Sequence, residues 1–144
     1  MTRDVLVTVR GVQTMAGMPL EDNEAIELVT CGTYDFREGC HVLEYDEVFE
    51  DVPGTTHNYL KIREDCAEVI KTGQANVDMI FEVGKKSIAA YSTPYGALDM
   101  AFEASRLEVT KKEERLTMLI EYALSMNNQY VADCRLSVDA EFRS

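Results

Sequence analysis

The chain has 144 residues, 46% of them hydrophobic and 28% charged, which is a globular composition with enough chain for a sizeable core. Its 26 acidic against 14 basic residues give a formal net charge of −12, which repels nucleic-acid phosphates and anionic lipid headgroups and so sets aside nucleic-acid and membrane-surface partners. No run of about 18 apolar residues occurs, so no transmembrane helix is expected.

The opening MTRDVLVTVRG has a short apolar stretch broken by Thr8 and Arg10, unlike a secretory leader. Cys31, Cys40, Cys66 and Cys134 show no Cys-x-x-Cys spacing and no zinc-like spacing to either histidine. The expectation is a cytoplasmic protein with free thiols, no structural metal and no cofactor. Val5, Val7 and Val9 then alternate with Leu6, Thr8 and Arg10, the period-two pattern of a strand with one buried face. Residues 15–23 hold Gly, Pro, Asp and Asn and read as a loop. Ile26, Leu28, Thr30, Gly32, Tyr34 and Phe36 share one face of the next strand, where Gly32 marks a bend or bulge. Arg37-Glu38-Gly39 turns the chain, and Leu43, Tyr45 and Phe49 alternate with Glu44, Asp46 and Val48. Val52-Pro53-Gly54 is a further turn, followed by strands near 56–63 and 66–72, with Thr72-Gly73-Gln74 leading onward.

Residues 79–103 carry the sharpest signals. Val77, Met79, Phe81 and Val83 alternate with Asn76, Asp78, Ile80 and Glu82. Gly84-Lys85-Lys86 then reads as a hairpin turn before apolar character returns at Ile88. In Thr93-Pro94-Tyr95-Gly96, proline presets φ for a type I turn and glycine can close it in a left-handed conformation. Leu98, Met100 and Phe102 face one way from there, Asp99 and Glu103 the other. Turn signals every 10 to 15 residues with short connections predict an antiparallel meander, sandwich or barrel.

Two motifs here carry a resemblance. Met79, Phe81 and Gly84 in Met-x-Phe-x-x-Gly, followed by Tyr91, Thr93, Pro94, Tyr95 and Gly96 in Tyr-x-Thr-Pro-Tyr-Gly, resemble the YwiB-like family of small bacterial proteins of unknown function. The resemblance extends through 116–142 and back to 30–34, close to the whole chain. It implies an all-β fold, an up-and-down, calycin-like (lipocalin-like) barrel, in a bacterial cytoplasmic protein, and it implies no established activity.

The last third is mixed. Tyr130, Ala132, Cys134, Leu136, Val138, Ala140 and Phe142 share one parity, an amphipathic strand. Residues 110–126 fit a strand through Leu116, Met118, Ile120, Tyr122, Leu124 and Met126. They also fit a helical stripe, with Thr110 and Glu113 as a capping box. Asn127-Asn128 as a hairpin turn, together with the resemblance, decides for strand. The sum is roughly eight to ten antiparallel strands closing one barrel domain over residues 1–144, since closure removes exposed strand edges.

No motif names a reaction. His41 and His57 belong to no nucleophile–base constellation, and the run Glu44, Asp46, Glu47, Glu50, Asp51 lacks the order of a calcium loop. Candidate ligand-binding residues are Tyr34, Tyr45, Tyr91, Tyr95 and Tyr122, because an apolar ring with a polar tip suits a cavity wall. Lys61 and Arg63 join them as anchors for an anionic head group if their face looks into the barrel; if Leu60 and Ile62 look inward, both are surface residues. Met79, Met100, Met118 and Met126 suit an adaptable lining or plain core. The expected function is a non-catalytic barrel holding a small apolar or amphipathic molecule. The competing reading is a homodimer or other assembly protein, with Ile80, Ala97, Ala101 and Leu107 off the inward parity and available to an outer apolar patch.

Overall fold

The computed structural model describes residues 2–15, 24–48, 54–74, 76–93 and 96–143, and gives the backbone alone at 15, 24–26 and 91–93. Ten strands follow one another: β1 (Arg3–Met15), β2 (Glu24–Arg37), β3 (Cys40–Glu47), β4 (Thr56–Ile62), β5 (Cys66–Gly73), β6 (Val77–Glu82), β7 (Lys86–Thr93), β8 (Gly96–Lys112), β9 (Arg115–Met126) and β10 (Gln129–Phe142). They form one antiparallel sheet in the order β6-β5-β4-β3-β2-β1-β10-β9-β8-β7. The first and last strands pair, from Val5 with Phe142 to Met15 with Ala132, and this bends the meander into a nearly closed barrel. Period two does the rest. Val5, Val7, Leu43, Tyr45, Leu60, Ile62, Leu116, Ile120, Val138 and Ala140 all turn inward and are buried.

The barrel has one seam. Gly84 takes φ +82, and Lys85 N–H donates to the Glu82 carbonyl at 3.1 Å, so the expected turn is present. It does not make a hairpin. β6 and β7 stand at opposite ends of the sheet order. Gly84 N–H donates instead to the Ala104 carbonyl at 3.2 Å, and Val83 bridges Ala104 in parallel. A turn signal specifies reversal of direction, whereas the curvature of the whole sheet decides whether the flanking edges then pair. The seam is closed from within by Phe81, Phe102 and Tyr122. Their ring centroids lie 4.8 to 5.8 Å apart, inside the range of favourable aromatic packing.

Two bulges reset parity. The first lies between Ala104 and Arg106, so Leu107 and Val109 turn toward the core and Leu107 leaves the outer face expected for it. The second, between Tyr130 and Ala132, leaves Tyr130 52% exposed, off the inward face assigned to it by counting. Residues 110–112 and 115–126 are strand, and Asn127 and Asn128 at φ +50 and +67 form the hairpin turn after them. Gly32 is needed where β1, β2 and β3 crowd together. A Cβ there would stand 2.4 Å from the Glu44 carbonyl oxygen and 3.1 Å from both Tyr45 Cβ and Val7 Cγ2. In the Thr93–Gly96 turn those two residues pair across the strand ends, and Gly96 takes φ +130; Pro94 and Tyr95 lie outside the described residues.

Candidate functional site

β3 and β4 fix the two ends of the barrel, since His41 pairs with Ile62 at one and Glu47 with Thr56 at the other. At the His41 end, Tyr34 Oη lies 2.8 Å from His41 Nδ1 in a hydrogen bond. Tyr34 also packs on Phe142 at 4.7 Å between centroids. The Arg3 guanidinium and the Lys111 ammonium lie 4.5 and 4.7 Å from the centre of the Phe142 ring, a cation–π arrangement that closes this end. Burial lowers the His41 pKa below its ordinary 6.5, and the charge of Lys111 adds to that.

The opposite end is built differently. Asn58 shares the inward parity of Leu60 and Ile62 and has no exposed surface. Its Nδ2 donates to Glu47 Oε1 at 2.6 Å and its Oδ1 accepts from Lys71 Nζ at 2.8 Å. Lys71 also pairs directly with Glu47, closing a three-membered polar group. Tyr45 is the cross-strand partner of Asn58, and burial raises its hydroxyl pKa, with Glu47 adding to the effect. β6 and β8 run parallel across the seam, so Met79 and Met100 each sit one inward step from the Phe81–Phe102 contact. Met79, Met100, Ala89, Leu28 and Met126 are half-buried against the core, while inward-facing Leu98 is 42% exposed.

The candidates read from the sequence are therefore scattered. Tyr34 caps the His41 end and Tyr45 backs the Glu47–Asn58–Lys71 group. Tyr122 sits in the seam cluster, its hydroxyl pKa raised by burial and then by Cys134. Tyr91 lies in β7 with only its backbone described, and Tyr95 lies outside the described residues. Lys61 and Arg63 are exposed on the face opposite buried Leu60 and Ile62, so they look out from the barrel wall. The acidic run is split by the same alternation. Glu44 and Asp46 point outward to His57, at 3.3 and 2.8 Å, while Glu47 points in; Glu50 and Asp51 lie outside the described residues. Asn58 and Lys71 escaped the sequence reading. An asparagine on the parity of Leu60 and Ile62 was the available signal.

Two concavities lie on the outer wall. A groove of about 910 Å³ crosses β8, β9, β10 and β1 where Arg10, Glu121, Asp133 and Arg135 look outward. Arg135 and Arg106 both hold Glu121, at 2.9 and 3.3 Å, and keep its carboxyl below the usual range, with Arg135 the larger cause. A pocket of about 190 Å³ on β2, β3 and β4 is lined by Arg37, Glu38, Cys40, Val42, Tyr59, Lys61 and Arg63. Among the described residues, no helix is long and apolar enough to cross a membrane, which says nothing about a β-barrel.

Ten antiparallel strands in an up-and-down, nearly closed barrel define a calycin-like protein. Residues 7–138 match the family described as a domain of unknown function, DUF1934, and the chain belongs to that family. The fold is that of the ywiB protein from Bacillus subtilis, known from a crystal structure. The two agree with a TM-score of 0.84 at 21% identity, over 99% of this chain and 94% of that one. No curated protein matches.

Proposed function

We propose that the barrel holds a small apolar or amphipathic molecule at the end where Glu47, Asn58 and Lys71 meet, without catalysing a reaction on it. One observation carries this reading. A fully buried asparagine braces an ion pair at this barrel end, with buried Thr56 beside it on β4 and half-buried Met79 and Met100 on the wall across. A buried ion pair is poor value for stability alone, because desolvation offsets most of the Coulomb gain. A few convergent polar groups against an apolar wall are, by contrast, the usual make-up of a ligand site. Methionine adapts its shape to what it touches. Native mass spectrometry of mildly purified protein, before and after organic extraction, tests the reading. The expected result is one extractable compound class, bound one per chain. The triple variant E47L/N58L/K71M should keep the fold and lose that mass. A clean apo mass, or retention of the compound by the triple variant, would overturn the proposal.

A second reading is favoured by the seam. Ile80, Val83 and Ile88 are 41%, 50% and 74% exposed beside two strand edges that do not pair with each other. Such an edge is a template for strand addition, here by a second copy of the chain. Sedimentation should then show a dimer that Ile88→Lys converts to monomer; a monomer at all concentrations would remove this reading.

A further inference from the structure

The structure turns Lys61 and Arg63 away from the barrel interior but does not scatter them. They meet Arg37 around the small pocket on the outer wall of β2–β4, so three cations converge in a chain of net charge −12. Their existing partners leave much of that charge unspent. Arg37 reaches Asp35 at 3.1 Å. Arg63 directs Nε to Cys40 Sγ at 2.8 Å, which orients the guanidinium, and its two terminal nitrogens meet no hydrogen-bond acceptor among the described residues. Lys61 has no hydrogen-bond acceptor among the described residues; it feels Glu68, its cross-strand neighbour, only through space. Glu38 is the one carboxylate lining the pocket, on an exposed turn. At its floor Cys40 and Val42 are 5% and 4% exposed. A charge contact over such a floor is screened less than one in open water.

We propose that this pocket is a site for a small oxyanion of the phosphate class, held by Arg37, Lys61 and Arg63. The guanidinium fork matches tetrahedral oxyanions, and the ammonium adds a mobile point charge. About 190 Å³ suits one phosphoryl group with a few waters and is too little for a lipid chain. Local acids temper the site, Asp35 by pairing with Arg37, Glu38 at the rim, and Asp65 and Glu68 through space on Arg63 and Lys61, while acids beyond about 8–10 Å are screened at ordinary ionic strength. The site is separate from the barrel end and stands whether or not that end binds a ligand.

Isothermal titration of the full chain with inorganic phosphate tests the proposal. Saturable binding at one per chain is expected. Lys61→Ala and Arg37→Ala, both exposed positions, should each weaken it about tenfold or more, as loss of a charge-assisted bond does. Lys85→Ala, an exposed lysine at the seam turn, should leave it unchanged. A phosphomonoester such as glycerol phosphate binding more tightly than phosphate would mark a site for phosphorylated metabolites; the reverse order would mark one for the free ion. No saturable binding by the unsubstituted chain, or equal loss in Lys85→Ala, would overturn the assignment.

Discussion

The two ends of the barrel solve the same problem in opposite ways. At the His41 end, polar atoms are tied to rings: Tyr34 to His41, and both cations to Phe142, which is itself only 7% exposed. At the Glu47 end the polar atoms are tied to one another, with Tyr45 and Val77 buried directly opposite them and Met79 half-buried beyond. Ring packing gains stability from burial. An ion pair braced by an amide gains little net stability and instead fixes the direction of its donors and acceptors. The first end is thus packed as a plug, and the second leaves a polar group of fixed direction at the barrel end.

The comparison breaks most directly at Phe142. Phe142→Ala removes the ring that Tyr34, Arg3 and Lys111 all meet, and should cost about 3–5 kcal/mol in denaturant unfolding. A loss under about 1 kcal/mol would mean the ring is no plug. Lys71→Met should cost less, about 1–3 kcal/mol, because it takes the counter-ion from the Glu47 carboxylate and the donor from the Asn58 carbonyl oxygen. The triple change E47L/N58L/K71M should reverse that sign and leave stability equal to or above the starting protein, since no polar group is then left unpaired. A triple variant markedly less stable than Lys71→Met would show that the group is structural.

The histidines give the smallest and most local contrast. His57 is held by Asp46 and then Glu44, which raise its pKa, while burial lowers that of His41. In an NMR titration His57 should titrate above 6.5 and His41 below it. The linkage signs are opposite. The stabilisation from His57 is full below 6.5 and fades as pH rises through its folded pKa. The His41 contribution is present above 6.5 and fades as pH falls through its lowered folded pKa, loosening the plugged end. Both titrating at the ordinary value would erase the distinction.

Much of this was legible in the residues. Val5–Val9, Leu43–Tyr45 and Ala132–Phe142 alternate strictly, and period two marked their faces, whereas for Leu60–Ile62 it left open which face looks inward. The paired asparagines at 127 and 128 marked their turn, because asparagine tolerates the left-handed backbone found there. The candidate site was less legible. Sequence chemistry singled out tyrosines and the Lys61–Arg63 pair, yet a tyrosine's identity does not say which end of a barrel it reaches. The bulge after Ala104 is also silent in the sequence, since one extra residue reverses parity without changing composition, and so Leu107 was assigned to the wrong face.

The sequence by itself determined strand, turn and facing wherever the cause is local: side-chain alternation, glycine and asparagine at positive φ, and a net charge that keeps the surface acidic. Only the tertiary structure decided where β6 and β7 fail to pair, which strands close the barrel, and that Glu47, Asn58 and Lys71 meet across β3, β4 and β5. Those outcomes depend on twist and stagger accumulated around the whole sheet, which no single segment encodes.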